Sequence, residues 1–260
     1  MSEVMLQQTQ ADRVVPHYER FVAAYPTPAR CAAAGPAEVV RRWSGLGYNR
    51  RALNLARAAA IIVAEHGGAV PPDDGALRAL PGVGAYTARA VRSQAFGEDI
   101  AAVDTNGVRV LARCVAGRPL SVREATALAD RVVPAGEGWE FTQSLFDLGA
   151  TVCVARTPRC EECPVRRLCR WHRDGGPEAA PDPWRASPAV RRQSPFAGSV
   201  RQGRGRLVEA LRRGPVRRRD VATACGWPRE PERARRVADA LVTEGFARWS
   251  GGKDPVLRLV

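Results

Sequence analysis

A ladder of four cysteines constrains this chain more than anything else in it. TVCVARTPRCEECPVRRLC places Cys153, Cys160, Cys163 and Cys169 at the spacing C-x6-C-x2-C-x5-C. Four thiols within 17 residues can converge on one centre, so the segment must close as a tight loop pinned from four sides. Thiolates suit an iron–sulfur cluster and also tetrahedral zinc. Zinc ribbons usually pair two short C-x2-C knuckles, whereas this ladder has one short step, and spacing leaves both groups open. The remaining thiols, Cys31, Cys114 and Cys225, are scattered and read as buried structural cysteines. An odd total of seven, in a sequence with no export-type opening, favours a metal or cluster site over disulfides. Arg156, Arg159, Arg166, Arg167 and Arg170 are interleaved with the ladder, and a pinned loop can present such side chains to phosphates.

Charge points the same way. The 260 residues carry a formal net charge of +13, which suits a polyanionic partner, nucleic acid first among them. Arginine dominates over lysine, Lys253 being the only lysine; a GC-rich genome explains that choice but not the excess of base over acid. Residues 1–170 hold 21 basic and 17 acidic side chains, residues 171–260 hold 19 and 10, so the smaller part carries most of the field. No apolar run is long enough for a membrane span, and the expectation is a cytoplasmic, nucleoid-associated monomer.

Most of 1–170 has helical periodicity. Segments 36–43, 50–66, 74–80, 84–95, 104–116, 121–133 and 139–150 read as helices, and parallel-sheet signals are absent. Residues 173–199 are rich in Pro, Ala, Gly and charge and read as a linker. Residues 200–260 read as three helices followed by two short strands around a Gly-Gly turn, the order of a winged helix. The expected organisation is a mainly α domain over 1–172 with its cluster loop, the linker, and a small basic winged-helix-like domain over 200–260.

Within the helical part, LPGVGAYTARAV (80–91) sets two glycines one residue apart between a short helix and a longer one. Glycine there permits a tight turn, and backbone N–H groups at the following helix start can take a phosphate. The motif fits a helix–hairpin–helix; an ordinary helix–helix turn is the alternative. Asp104 follows, opening a helical pattern in AVDTNGVRVLAR. It can cap that helix, and a carboxylate beside a flipped nucleotide can also stabilise or attack a sugar oxocarbenium ion.

LPGVGAYT, then VDTN, then FTQSLFDLGATVC and the cysteine ladder resemble the helix–hairpin–helix DNA glycosylases. SEVMLQQTQ (2–10) and WSGLGYNRRALNLA (43–56) narrow the resemblance to the MutY-type adenine glycosylases of base excision repair. That resemblance implies a [4Fe-4S] cluster on Cys153, Cys160, Cys163 and Cys169. It implies a duplex DNA partner containing a mismatch or lesion, with excision of adenine opposite 8-oxoguanine or guanine. Glu3 matches the glutamate that protonates the departing adenine, Asp104 the aspartate that supports the sugar cation, and Tyr86 a tyrosine hydrogen-bonded in that group. Gln8 and Tyr48 match residues that insert into the duplex, Gly82, Val83 and Gly84 form the DNA-binding hairpin, and Asn106 lies in the same motif as Asp104. Endonuclease III-like glycosylases place a lysine nucleophile where this chain has Tyr86, so the resemblance implies a monofunctional enzyme. Outside these readings stands a non-catalytic DNA-binding iron–sulfur protein.

The sequence departs from the family in three places. An LPWR-type segment normally precedes SEVMLQQT, so the expectation is a chain short of its natural N-terminus and weakened in excision. An amino group two residues from Glu3 would lower the carboxyl pKa, against the general-acid role. The basic region over 200–260 stands where many members carry a Nudix-like domain. Asn49 occupies a position where a second tyrosine is common.

Overall fold

A computed structural model describes residues 1–190, 194–252 and 254–260. Lys253 and part of the expected linker, residues 191–193, lie outside the described residues. In chain order the helices are α1 (Ser2–Leu6), α2 (Ala11–Ala24), α3 (Pro28–Arg42), α4 (Arg50–Glu65), α5 (Asp74–Ala79), α6 (Ala85–Phe96) and α7 (Thr105–Leu111). They continue as α8 (Val122–Val132), α9 (Gly138–Asp147), α10 (Arg170–Arg173), α11 (Gly176–Ala179), α12 (Val200–Arg213), α13 (Val221–Cys225) and α14 (Pro231–Thr243). Three short strands, β1 (Val216–Arg217), β2 (Ala247–Trp249) and β3 (Val256–Leu259), fall within the C-terminal part. Local chemistry explains many of the boundaries. Thr27 accepts the Arg30 N–H ahead of Pro28 at the start of α3, and Ser121 with Glu124 forms a reciprocal capping box on α8. Ser199 accepts the Gln202 N–H at the start of α12.

The chain forms two compact units. The first comprises residues 1–71, 79–82 and 194–260. Its core is continuous: Val39, Val40, Trp43, Ala52 and Leu53 belong to the same buried cluster as Leu207, Val208, Leu211, Leu241, Phe246 and Leu257. Here α12, α13 and α14 precede an antiparallel β2–β3 pair, and β1 joins it to give the order β1-β3-β2. The expected winged-helix order is present, with the two-residue β1 added because Val216 pairs with Leu257 across from Trp249.

The second unit takes residues 72–78 and the described part of 83–193. Its core gathers Ala101, Val103, Val108, Leu111, Leu120, Ala125 and Leu145. Trp184 and Ala189 belong to this core too, which corrects the expected linker over 173–199. Asp182 accepts two bonds from the buried Arg113 guanidinium (2.9 and 2.7 Å), and the Ser187 hydroxyl donates to the Leu120 carbonyl (2.7 Å). The composition of PDPWRASPAV is that of unpacked chain, but one buried tryptophan and one buried ion pair tie it down. The boundary expected near residue 172 is likewise replaced, because the apolar faces of α12–α14 are buried in one core with α3 and α4.

Candidate active site and cluster loop

In the first unit, α1 is anchored by the buried side chains of Val4 and Met5 and carries the half-buried Glu3. Burial pushes the Glu3 carboxyl pKa above the ordinary glutamate value, while the Met1 amino group pulls it down. The amine acts in the direction its sequence position implies, but burial outweighs it, so the environment favours the protonated acid.

Beyond α1 the chain turns at Gln8, whose φ is 55°. The segment joining α3 to α4 turns at Gly45 (φ 92°), Gly47 (φ 69°) and Tyr48 (φ 43°). Among the described residues, Gln8 and Tyr48 are the non-glycine residues with positive φ, and both are exposed. Such left-handed backbone costs on the order of 1–3 kcal/mol and persists where the surroundings over-determine it.

Arg51, buried in the first turn of α4, supplies that determination. Its Nη1 donates to the carbonyls of Val4 (2.9 Å), Met5 (2.5 Å) and Gln7 (2.7 Å). Its Nη2 donates to the Thr9 hydroxyl (3.0 Å) and the carbonyls of Leu46 (3.2 Å) and Gly47 (3.3 Å), and its Nε reaches the Tyr48 carbonyl (3.4 Å). The guanidinium also lies 5.2 Å from the Trp43 ring centroid and 5.5 Å from that of Tyr48. One side chain therefore holds the end of the Glu3 helix, the Gln8 turn and the Tyr48 turn together. Gln7 extends the arrangement by donating its amide to the Gly82 carbonyl (3.3 Å). Gly82 has φ 83° and lies so close to Asn54 that a Cβ would meet it at 2.9 Å, so the hairpin needs glycine there for backbone and space alike. Gly84 is the N-cap of α6 and makes no side-chain cap bond, so the hairpin leads directly into a helix N-terminus. Val83, between them, is half-buried.

In the second unit, Asp104 is the N-cap of α7, accepting the Gly107 N–H at 2.8 Å. Burial raises its pKa, and bonds from the Gly107 and Asn106 backbone with the charge of Arg109 oppose the rise without cancelling it. Asn106 accepts from Arg109 (2.9 Å), and the buried Arg109 also donates to the carbonyls of Gly149 (2.6 Å) and Cys153 (2.7 Å). The Asp104 helix is thus wired directly to the start of the cysteine ladder. Tyr86, half-buried in the first turn of α6, sets its ring 6.4 Å from that of Phe146 on α9.

Cys153, Cys160, Cys163 and Cys169 line one cavity, walled also by Val110, Leu148 and Trp171. Arg113, almost fully buried, donates to Cys153 Sγ (3.4 Å) and to the carbonyls of Val154 (2.8 Å) and Ala155 (3.1 Å). Burial pulls the Asp182 pKa up, and its bonds from Arg113 and the Trp184 N–H, together with the charges of Arg113 and Arg185, outweigh that and leave it below the ordinary value. All four ladder thiols face the same space, as thiolates that share one iron–sulfur cluster must. Of the interleaved arginines, Arg156, Arg159, Arg167 and Arg170 are exposed, while Arg166 is half-buried and bonded to Glu161 and His172.

Arg51, Arg109 and Arg113, which organise these sites, are not among the candidate site residues that the sequence motifs single out. The signal was present: Arg51 interrupts an Ala-Leu helix, and Arg109 and Arg113 stand four apart in the apolar run VRVLARC. An arginine on an apolar helix face has to find acceptors.

Comparison with known proteins agrees with this arrangement. Residues 1–135 match the HhH-GPD superfamily of base excision DNA repair proteins, and residues 153–169, cysteine to cysteine, match the iron–sulfur binding domain of endonuclease III. Among solved structures, a thermostable thymine-DNA glycosylase aligns with a TM-score of 0.61 at 31% identity, covering 66% of this chain and 82% of its own. An endonuclease III trapped as a covalent intermediate with DNA aligns at 0.60 and 31%, covering 67% and 83%. The chain belongs to the HhH-GPD superfamily: it is a DNA-binding glycosylase of base excision repair with a [4Fe-4S] cluster. The adenine DNA glycosylase of Mycolicibacterium smegmatis is 41% identical over 251 residues, 95% of this chain and 82% of that protein. That of Mycobacterium tuberculosis H37Rv is 41% identical over 255 residues, 94% and 81%. Within the superfamily the chain therefore belongs to the adenine DNA glycosylases. No helix among the described residues is long and apolar enough to cross a membrane.

Proposed function

We propose that this protein removes adenine mispaired with 8-oxoguanine or guanine by hydrolysing its N-glycosidic bond, without cutting the strand. The observation that carries the reading is the Arg51 arrangement, in which one guanidinium fixes a helix bearing a carboxyl biased toward protonation and two exposed turns held in strained backbone. Glu3 protonates the adenine ring as the bond breaks. Asp104 supports the developing sugar cation or captures it, with Tyr86 and Asn106 as neighbours in the chemistry. Gln8 and Tyr48 insert into the duplex and occupy the space a flipped base leaves. The amides around Gly82, Val83 and Gly84 bind backbone phosphate. Cys153, Cys160, Cys163 and Cys169 ligate the cluster, which when bound supplies a rigid staple for the arginine-bearing loop. Tyr86 stands where a lyase would need an amine, so no Schiff base forms. The strongly basic composition supports action on chromosomal DNA in the nucleoid, as a monomer.

The test is single-turnover excision on duplex DNA with adenine opposite 8-oxoguanine, for wild type, Glu3→Gln and Asp104→Asn. Excision by wild type, its loss in both variants and an absence of borohydride-trapped adduct are expected. Binding without excision in wild type would leave a non-catalytic DNA-binding protein. A trapped adduct with strand cleavage at oxidised pyrimidines would instead place the activity with the endonuclease III-like enzymes.

A further inference from the structure

The Tyr48 turn is held from two sides. Arg51 grips it from within α4, and the C-terminal region grips it through Arg212 on α12. The Arg212 side chain is 9% exposed, and its Nε donates to the Val40 carbonyl near the end of α3 (2.9 Å). Its Nη2 donates to the side-chain oxygen of Asn49 (2.7 Å), itself buried and adjacent to Tyr48. Its Nη1 pairs with Glu209 (2.9 Å), which also accepts from the Ser44 hydroxyl (3.4 Å). The guanidinium thus reaches the chain before the turn at Val40, and after it at Asn49, with Ser44 tied in through Glu209. The region is further secured to α4 by Arg57 donating to the Glu244 carbonyl (2.8 Å) and by Arg50 paired with the Glu244 carboxylate, which Arg204 of α12 also holds from within the region.

We infer that Arg212 is a positioning residue for Tyr48, and that the winged-helix-like region serves lesion recognition by bracing this turn. The inference rests on the reading of Tyr48 as a residue that inserts into the duplex. A tyrosine at φ 43° is held against its own backbone preference, so each bond that fixes the turn lowers the cost of presenting the ring. Arg212 binds the turn's two flanks, and its donors point to Val40, Asn49 and Glu209 rather than out to a phosphate. Removing it releases the ring into other conformers, and the loss is felt through Tyr48 alone.

A double-mutant cycle reads that dependence. The full chain is compared as wild type, Arg212→Met, Tyr48→Ala and the double variant, by affinity for the adenine–8-oxoguanine duplex. 2-Aminopurine beside the mispair reports base unstacking. Arg212→Met is expected to weaken binding about 10-fold and reduce the fluorescence change in the wild-type background, and to alter affinity less than about 2-fold when Tyr48 is already alanine. Arg212→Lys should recover part of the loss, since an ammonium can restore one of the bonds. If Arg212→Met unfolds the chain, Asn49→Ala removes only the bond nearest the ring and is expected to show the same dependence. Equal losses in both backgrounds, or none in either, overturn the brace. If Tyr48→Ala by itself leaves affinity unchanged, the insertion role assigned to Tyr48 has failed and the brace falls with it.

Discussion

Replacing Arg51 with methionine probes the arrangement at its centre. The guanidinium makes seven contacts with acceptors, of which those to Met5, Gln7 and Val4 are shortest. Crediting one full bond to each of three donor hydrogens, two on Nη1 and one on Nη2, at about 1.5–2 kcal/mol each gives roughly 5 kcal/mol. Burial lowers the Arg51 pKa from its ordinary 12.5 to about 10, a charging cost of about 3 kcal/mol at 1.36 kcal/mol per unit. Methionine removes both contributions, for a net loss of about 2 kcal/mol. One main-chain carbonyl left buried without a donor adds about 1 kcal/mol more. The expected total of about 3 kcal/mol lowers the melting temperature by roughly 10 °C. Calorimetry measures that shift, and duplex binding measured well below the transition should weaken by more than about tenfold as the Gln8 and Tyr48 turns relax. Lysine should not rescue, because one ammonium cannot reach acceptors spread across three segments. A variant that melts within about 2 °C of wild type and binds the mispair normally would refute the reasoning.

Glu3→Gln is expected to cut single-turnover excision by at least about 100-fold while leaving duplex affinity near wild type. Because the folded-state Glu3 pKa is raised, the folded chain holds this proton more tightly than the unfolded one, and the carboxyl costs stability as pH rises through and above the ordinary glutamate value. Glu3→Gln should therefore melt higher than wild type at neutral pH and equally below the unfolded pKa, and a difference independent of pH would count against a buried acid. Arg113→Met takes from the half-buried Asp182 its two-bond partner, leaving the Trp184 N–H and the exposed Arg185; a loss of about 3 kcal/mol by denaturant unfolding is expected, and a near-neutral result would mean the pair is solvated. Cys163→Ser should lower iron content and visible absorbance and weaken DNA binding, and unchanged affinity in a cluster-free protein would separate the loop from DNA recognition.

Where the chemistry depends on residue type at fixed spacing, the sequence was informative. The cysteine ladder, the glycine pair before α6, Asp104 at a helix start and Tyr86 in place of lysine were all readable, because thiolate ligation, positive φ, N-capping and the want of an amine are local properties. Spacing alone leaves zinc and iron–sulfur open; the thiols share one cavity, and the match of residues 153–169 to an iron–sulfur binding domain decides between them. The stretch 173–190 has the composition of a linker and yet packs, because composition registers proline and charge but not the burial of one tryptophan.

By itself, then, the sequence determined the helices between residues 36 and 150 and those beyond 200, though not α1, α2, α10 or α11, together with the cluster loop, the hairpin and the order of the candidate site residues. Tertiary structure alone decided how those residues are held. It placed the C-terminal helices in one core with α3 and α4, raised the Glu3 pKa against a neighbouring amine, and gave Arg51, Arg109, Arg113 and Arg212 their acceptors. The physical reason is the same in each case. Desolvation and hydrogen-bond satisfaction depend on what lies within a few ångströms in space, and for these side chains most of those neighbours are tens of residues away along the chain.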